Sequence, residues 1–281
     1  MSRRTNNRAD AGLLTGVSET ALLTLSGRAH QASQPDPIID DPMAIKLVES
    51  IDFDFEKFGR FGHQGQEMAL RSLAVDQCAI RYLTTYPEAT VVALAEGLQT
   101  SFWRLDSALP GGKFRWFSLD LAPVIEMRRR LLPHSARVTY LAQSALDYTW
   151  MDKIDSSNGV FITAEGLLMY LQPQQAMGLI AACAKRFPGG QMFFDLPPTV
   201  VKMLAPEGLR SSRSYKVPPM PFSLSVHELS DLVHTMPGVR TVHDVPMPKG
   251  RGVFFGTVFP AFWRFGPTKR FRGAYALLEF G

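Results

Sequence analysis

Short apolar runs alternate with segments of helical periodicity along most of the chain. Residues 67–83 carry apolar side chains at helical spacing, and residues 91–94 form an apolar run that is typical of a strand buried on both faces. The same alternation predicts helices at 101–109, 123–130, 173–187 and 225–237 and strands at 114–120, 138–143, 159–166, 191–196, 239–245 and 274–280. This order of elements predicts an α/β fold with a mostly parallel sheet.

The composition indicates a globular protein. The chain has 281 residues, of which 46% are hydrophobic and 20% are charged, so it can bury a full core. Its longest nearly apolar stretch, residues 253–263, has about half the length that a bilayer span requires. No apolar block adjoins the N-terminal arginines, so we expect no signal peptide. The two cysteines cannot form a disulfide framework, and they indicate a cytoplasmic location.

Positive charge is concentrated at the two ends of the chain. The formal net charge is +4, with +2 in residues 1–10 and +5 in residues 249–281, which leaves −3 for the residues between them. A basic end can bind an anionic substrate, a membrane surface or nucleic acid, but runs of charge more often form a solvated surface. We therefore expect neither a nucleic acid nor a membrane as a partner.

Polar residues follow the predicted strands at the edge where open α/β sheets bind ligands. Glu96 and Gly97 follow the strand at 91–94, and Asp120 ends the next strand, 23 residues beyond Gly97. An acidic residue at this spacing accepts hydrogen bonds from the ribose hydroxyls of nucleotide-like cofactors. A second interpretation, equally consistent with the spacing, is that Asp120 caps the helix that begins near Pro123.

Glu165 ends an apolar strand and precedes further apolar residues, so we expect its carboxylate to be largely desolvated. A buried charge requires a cationic or hydrogen-bonding partner, and Arg71 on the helix at 67–83 can supply it. Arg71 can instead bind a ligand carboxylate. A purely structural ion pair between the two residues is the alternative to a binding site.

Several catalytic motifs are absent from the sequence. It contains neither the glycine pattern of a dinucleotide-binding turn nor a P-loop, and it lacks the serine-hydrolase and zinc-peptidase motifs. Its six histidines are scattered without metal-ligand spacing, so we expect no metal site. The sequence assigns no catalytic base; Tyr148, Tyr170 and the histidines are candidates.

Six motifs occur in an order that identifies a family. They are SETALLTLSGRA (18–29), PDPIIDDPMA (35–44), ALRSLAVD (69–76), VVALAEGLQTSFWRL (91–105), WFSLDLAPVIEMRRRLL (116–132) and FITAEGLLMYLQP (161–173). In this order the chain resembles the leucine carboxyl methyltransferase family, and within it the bacterial polyketide-type O-methyltransferases. The resemblance covers nearly the whole chain, and AEGLLMYL together with DDPMA is its specific part.

The resemblance implies a class I S-adenosylmethionine (SAM) methyltransferase fold. This fold has a Rossmann-like, seven-stranded, mostly parallel sheet with its last strand antiparallel, helices on both faces and an N-terminal helical cap. We expect one domain over residues 1–281: a cap or lid at 1–65, a cofactor-binding core at 66–200, and a substrate-side insert with the closing strands at 201–281. The segment 18–28 should belong to the lid.

The resemblance also implies SAM as the cofactor and assigns roles to individual residues. Asp120 would hold the ribose hydroxyls, Arg71 and Glu165 would frame the methionine end, and the turn at Gly97 would let the backbone approach the cofactor. The pair Ser144-Ala145 aligns with an Asp-Leu pair of the family, whose carboxylate receives the adenine amino group.

The turn after the first long strand departs from the family pattern Gly-Ala-Gly-Leu-Asp-Thr-Arg. Here it reads AEGLQTS, residues 95–101. Glu96 places a carboxylate where the anionic amino-acid end of the cofactor would lie, and Gln99 and Ser101 replace an acid and a base. Ser144 in place of the adenine-binding Asp offers only a neutral hydrogen bond. The resemblance thus predicts a recognisable but altered cofactor pocket.

Three functions are consistent with these residues. The first is a SAM-dependent O-methyltransferase of secondary metabolism that acts on a small polyketide-like metabolite with a carboxylate or hydroxyl group. The second is an enzyme of the same fold that has lost methyl transfer and catalyses another reaction, such as a cyclisation or rearrangement. The third is a non-catalytic binding protein that uses the basic C-terminal segment.

Overall fold

A computed structural model describes residues 8–59, 63–205, 207–265 and 272–281. Within these ranges the strands are β1 (Ala9–Asp10), β2 (Ile51–Asp52), β3 (Thr90–Leu94), β4 (Arg115–Asp120), β5 (Val138–Ala142), β6 (Val160–Ala164), β7 (Gln191–Leu196), β8 (Val239–Asp244) and β9 (Ala274–Phe280). The α-helices are α1 (Thr20–Ala32), α2 (Pro42–Ser50), α3 (His63–Thr85), α4 (Ser101–Ala108), α5 (Ala122–Leu131), α6 (Pro173–Arg186), α7 (Thr199–Leu204), α8 (Val226–Thr235) and α9 (Phe259–Arg264).

The main sheet has seven strands in the order β5-β4-β3-β6-β7-β9-β8. The pairs among β3, β4, β5, β6 and β7 are parallel, and β9 is antiparallel to both of its neighbours. The chain starts this sheet at β3, extends it to one side through β4 and β5, and returns to β6 on the other side. The expected seven-stranded, mostly parallel sheet with an antiparallel last strand is therefore confirmed.

Alternate residues of the central strands belong to two separate apolar cores. Val92 and Ile162 face one core, which includes residues of α6 and α8. Val91 and Phe161 face the other, which includes residues of α3 and α4. Every side chain of β3 and β6 is buried, because helices cover both faces of the sheet. The fold class that the sequence predicts is confirmed by this arrangement.

The N-terminal region forms a helical cap with its own apolar core. Leu22 and Leu25 of α1 and Leu47 of α2 pack in it, together with Leu98 from the turn beyond β3. Helix α1 also approaches α3 closely, because a Cβ added at Gly27 would lie only 2.5 Å from Sδ of Met68. The cap is thereby packed onto the core of the fold at the same turn that the family resemblance singles out.

A buried charge cluster centred on Asp41 joins the cap to the core. The Asp41 carboxylate lies 3.3 Å from Nε of Arg28 and 2.9 Å from Nη1 of Arg104, and it accepts hydrogen bonds from the Thr100 hydroxyl and from the amide of Ala44. Burial alone raises the pKa of Asp41, but the two arginines lower it below its usual value. A single carboxylate therefore links α1, α4 and the N-terminus of α2.

Only part of the basic ends is described. Lys269 and Arg270, on which binding by a basic C-terminal segment would depend, lie outside the described residues, as do Arg3 and Arg4. In the part that is described, Arg272 pairs with Asp244. Cys78 and Cys183 are both buried and unpaired. None of the helices in the described ranges has both the length and the apolar content for crossing a membrane.

We expect Asp41→Asn to lower the free energy of unfolding at neutral pH by about 3–5 kcal/mol, because it leaves Arg28 and Arg104 without their shared negative charge. The folded-state pKa of Asp41 lies below its unfolded value, so its contribution is complete above the unfolded pKa and is lost as the pH falls through the folded pKa. The difference between wild type and variant in urea titrations should therefore shrink below about pH 4.

Asp40→Asn is the matched control, because Asp40 is the exposed neighbour of Asp41. It should leave the unfolding free energy within about 0.5 kcal/mol of the wild-type value. An equal loss in the two variants, or a difference for Asp41→Asn that does not change with pH, would contradict the proposed charge cluster.

Candidate functional site

A cavity of about 660 Å³ opens at the carboxyl ends of β3, β4 and β6. This volume lies within the range of roughly 300–1,000 Å³ that is typical of small-molecule sites. Its position is the ligand crevice of an open α/β sheet, where the strand order reverses. The cavity is lined by all seven candidate residues that the sequence indicates: Arg71, Glu96, Gly97, Asp120, Ser144, Ala145 and Glu165.

The turn beyond β3 brings backbone into the cavity wall. Ala95 and Gly97 both adopt positive φ angles, +48° and +58°. This conformation is unfavourable for alanine, whereas glycine adopts it readily. A Cβ added at Gly97 would also lie 3.1 Å from Cβ of Ala21 in α1. The turn therefore has little room between the cavity and the cap.

Asp120 binds backbone amides on both sides of the crevice. Its carboxylate accepts a hydrogen bond of 2.7 Å from the amide of Gly97 and another of 2.7 Å from the amide of Leu121. Helix α5 has Leu121 at its N-cap position, without a side-chain cap, so the interpretation of Asp120 as the helix cap is wrong. Burial raises the pKa of Asp120, and the two amide hydrogen bonds partly offset this rise.

Arg71 lies between two carboxylates at the floor of the cavity. Its Nε is 3.0 Å from Oε1 of Glu165, as the sequence predicts, and its Nη1 is 3.1 Å from Oδ2 of Asp195 on β7. Asp195 also accepts a hydrogen bond from the amide of Gly166. Burial by itself lowers the pKa of Arg71, but the two carboxylates raise it above its usual value. Of the two roles that the sequence left open for Arg71, the structure shows the ion pair with Glu165.

Gln99 and Ser72 complete the surroundings of Glu165. The Glu165 carboxylate accepts hydrogen bonds of 2.6 Å from the Gln99 amide and 2.9 Å from the Ser72 hydroxyl. An acid at position 99, as in the family pattern, would place a second carboxylate beside Glu165. The glutamine instead donates a hydrogen bond, which gives this departure from the family pattern a structural reason.

Glu96 has a cationic partner inside the protein. Oε1 of Glu96 lies 2.8 Å from Nη2 of Arg128, and both side chains are almost completely buried. Arg128 also donates hydrogen bonds of 2.9 and 2.8 Å to the carbonyl oxygens of Gly97 and Gln99. Burial raises the pKa of Glu96 above its usual value, and Arg128 offsets only part of this rise. The charge that the sequence analysis expected to face the cofactor is therefore paired with Arg128.

Ser144 and Ala145 lie beyond β5, next to Asp120. Asp120 pairs in register with Ala142, two residues before Ser144. The Ser144 side chain is exposed, and its hydroxyl accepts a hydrogen bond of 3.2 Å from the amide of Leu146. Ala145 is buried. This edge of the cavity therefore offers a small polar side chain and an apolar surface.

The opposite wall contains residues that the sequence pattern does not indicate. Glu67 of α3 lines it, together with Phe259 and Trp263 of α9 and Tyr275 of β9. These residues come from a helix face and from the C-terminal region, and none of them directly follows a parallel strand of the sheet. The signal that could have found Tyr275 is its place in a strand next to β7, opposite Asp195.

The suggested catalytic bases differ in their positions. Tyr170 lines the cavity, and burial raises its pKa to about 12. Tyr148 does not line the cavity, and neither does any histidine whose side chain is described. Within the described ranges, no three His, Cys, Asp or Glu side chains are grouped so that they could hold a metal ion.

We expect Gly97→Ala to lower the unfolding free energy by about 1–2 kcal/mol, because alanine is unfavourable at this positive φ and its Cβ would meet α1. Ala95→Gly is the matched variant. The substitution relieves the strained φ angle at position 95, but glycine loses more backbone entropy on folding, which costs about 0.5–1 kcal/mol. The unfolding free energy of this variant should therefore differ from the wild-type value by less than about 1 kcal/mol. Urea titrations of both variants provide the measurement, and equal losses would contradict this account of the turn.

We expect Glu96→Ala to lower the unfolding free energy by about 3–5 kcal/mol, because it leaves the buried Arg128 guanidinium without its partner. Replacing both residues, with Glu96→Ala and Arg128→Met, should cost less than the sum of the two single changes by about 1–3 kcal/mol. The measurement is a double-mutant cycle by chemical denaturation. If the losses of unfolding free energy in the two single variants add up to the loss in the double variant, the two side chains do not interact.

Comparison with known proteins gives a family and a fold. Residues 21–184 match the family model described as leucine carboxyl methyltransferase. Over 182 residues the chain is 32% identical to the tetracenomycin polyketide synthesis O-methyltransferase TcmP of Streptomyces glaucescens. The match covers 65% of this chain and 66% of TcmP, which is just under two thirds of the length of TcmP. It is 26% identical, over 66% of its length, to the S-adenosyl-L-methionine-dependent methyltransferase dpfgK of Gibberella zeae, of which 68% is covered.

The solved structures include the plantazolicin methyltransferase BamL, determined with the demethylated cofactor S-adenosylhomocysteine (SAH). It superposes with a TM-score of 0.52 at 12% identity, and the match covers 94% of this chain and 99% of BamL. At this identity the likeness concerns the fold alone, which is that of the class I SAM methyltransferases. The family model covers more than half of the chain, so the protein belongs to the leucine carboxyl methyltransferase family.

Proposed function

We propose that this protein is a SAM-dependent O-methyltransferase of secondary metabolism that acts on a small-molecule metabolite. The observation that carries the proposal is the position of Asp120. Its carboxylate ends β4 at the edge of the cavity and binds the amide of Gly97 in the turn beyond β3. An acid at this place in an open α/β sheet suits the ribose of a nucleoside cofactor. The family membership and the names of the relatives support the same reaction.

The residues around the cavity suit SAM in shape and polarity. Asp120 would hold the ribose hydroxyls, and the edge at Ser144 and Ala145 would receive the adenine. Arg71 and Glu165 would frame the methionine end, whose carboxylate and ammonium groups have complementary charges. Gly97 leaves the turn without a side chain where the cofactor would pass over it.

The charge of the cavity wall supports a cationic cofactor. SAM carries a sulfonium, an ammonium and a carboxylate, so its net charge is positive. Acidic residues outnumber basic ones on the described wall, which favours a positive ligand. Apart from Glu96, which is paired with the buried Arg128, the acids are Glu67, Asp120, Glu165 and Asp195, and the bases are Arg71, Arg210 and Arg272.

SAM, when bound, supplies an electrophilic methyl group. The protein's own contribution is to hold the acceptor in line with that group and to exclude water. Helix α1 lines the cavity with Thr20, Ala21 and Thr24, so the cap covers the site. Positioning and desolvation by these walls would supply much of the acceleration.

The altered turn does not favour a protein that has lost methyl transfer. Glu96 is neutralised by Arg128 and Gln99 donates to Glu165, so neither departure places an unpaired charge against the cofactor. We propose a single domain with a cap at 1–65, a cofactor-binding core at 66–200 and a substrate-side region at 201–281. A cytoplasmic location and the absence of a nucleic-acid partner remain predictions.

Calorimetric titration with SAM and with SAH tests this function. Both should bind the wild-type protein, and Asp120→Ala should weaken binding about 10- to 100-fold, which corresponds to the loss of hydrogen bonds to a charged group. Asp152→Ala, at an exposed position away from the cavity, is the matched control and should bind as the wild type does. Absence of SAM binding to the wild type would refute the proposal, and unchanged affinity of Asp120→Ala would refute the ribose assignment.

A further inference from the structure

Glu67 is a carboxylate on the cavity wall for which the described residues provide no hydrogen-bond or ion-pair partner. It lies on α3, one helical turn before Arg71, and its exposed side chain is part of the cavity wall. No hydrogen bond or ion pair from any described residue reaches it. By contrast, Glu96 is paired with Arg128, Asp120 with two backbone amides, and Glu165 and Asp195 with Arg71.

The groups around Glu67 leave its carboxylate free to meet a ligand. Arg71 on the same helix attracts it, but this guanidinium is already shared by Glu165 and Asp195. Asp195 on β7 and Tyr275 on β9 line the same cavity and act on Glu67 electrostatically. Burial raises the pKa of Glu67, Arg71 lowers it and Asp195 raises it further. A carboxylate that lines a cavity and has no donor from the described residues is suited to accept a proton from a bound molecule.

The wall next to Glu67 is aromatic. The ring of Tyr275 lies 5.3 Å from that of Trp263, and Trp263 lies 5.7 Å from Phe259. The guanidinium of Arg272 stacks on Trp263, with Cζ 4.3 Å from the ring centroid. Flat apolar rings of this kind pack well against a flat aromatic ligand. Tyr275 and Glu67 line the same cavity and interact electrostatically, so the aromatic surface and the carboxylate belong to one wall.

We propose that Glu67 is the catalytic base for a phenolic hydroxyl, and that the acceptor is an aromatic molecule held against Trp263 and Tyr275. The proposal rests on the methyl transfer proposed above and narrows its acceptor from a hydroxyl or carboxylate to a phenol. A carboxylate acceptor would meet the like charge of Glu67 on a wall where acids outnumber bases. A neutral hydroxyl instead donates its hydrogen bond to Glu67.

Proton transfer to Glu67 accompanies methyl transfer from SAM to the phenolic oxygen. The acceptor's O–H proton moves to a carboxylate oxygen of Glu67, and the acceptor oxygen forms a bond to the methyl carbon of the sulfonium. The bond between that carbon and sulfur breaks, and its electron pair stays on sulfur, so the products are a methyl ether and SAH. Glu67 afterwards releases the proton to solvent.

The binding test compares two probes of similar shape, 4-nitrophenol and 4-nitrobenzoate, on the full-length protein saturated with SAH. We expect Glu67→Gln to bind 4-nitrophenol about tenfold more weakly, because the variant loses a strong hydrogen-bond acceptor. It should bind 4-nitrobenzoate severalfold more tightly, because it loses a negative charge. The visible absorbance of the phenolate should fall when 4-nitrophenol binds the wild type, since Glu67 favours the protonated phenol. This decrease should be absent in Glu67→Gln.

The catalytic test follows methylation of 2-naphthol by the SAM-loaded enzyme. Glu67→Gln should lower kcat by roughly 10²- to 10⁴-fold, the usual contribution of a general base. Its affinity for SAH should stay unchanged. Glu126→Gln, at an exposed position on α5, is the matched control and should behave as the wild type in every assay.

Each outcome decides for or against the proposal. If SAH binds both proteins but the two nitro probes respond alike to Glu67→Gln, the proposal fails while the proposed function stands. A large loss of SAH affinity in Glu67→Gln would place this residue in the cofactor site and overturn its role as base. Absence of 2-naphthol methylation by the wild type would overturn the phenolic acceptor, whereas absence of SAH binding by the wild type would refute the methyltransferase itself.

Discussion

The Arg71 guanidinium, held between Glu165 and Asp195, is the interaction on which the cavity depends. It connects α3 to the end of β6 and to β7, so it fixes the floor of the cavity relative to the sheet. Burying either carboxylate is unfavourable unless a cation compensates it, and here one cation compensates both. The hydrogen bonds of Ser72 and Gln99 to Glu165 extend the same cluster towards the turn beyond β3. The charges at the floor of the cavity are thus held in place by the protein before any ligand arrives.

The sheet could be predicted from the sequence because helices cover both of its faces. β3 and β6 are buried on both sides, which makes them continuous apolar runs, and their neighbours follow at regular intervals. The two-residue pair of β1 and β2 carries no such pattern. The cap depends on contacts between distant residues, such as Arg28 with Asp41 and with the carbonyl of Leu98. Periodicity reports which face of a segment is apolar, but it does not report which polar side chains meet across the fold.

The candidate site was predictable where a residue directly follows a strand, as Gly97, Asp120 and Glu165 do, because parallel strands bring their carboxyl ends to one edge. Asp195 lies within β7, and Glu67 on a helix face, so neither position marks a ligand site in the sequence. The partner of Glu96 could not be inferred either. Arg128 belongs to a run of three arginines whose pattern suggests an exposed helix end, and only the packing of α5 shows that it is buried.

The pairing of Glu96 with Arg128 also constrains how this turn can evolve. A family-like turn without an acid at position 96 would leave a buried guanidinium uncompensated, and loss of Arg128 alone would leave a buried carboxylate. Either intermediate is less stable than both end points, so the two positions are epistatic. A change of this turn to the Gly-Ala-Gly pattern of the family therefore requires a compensating change at Arg128 in a separate segment of the chain.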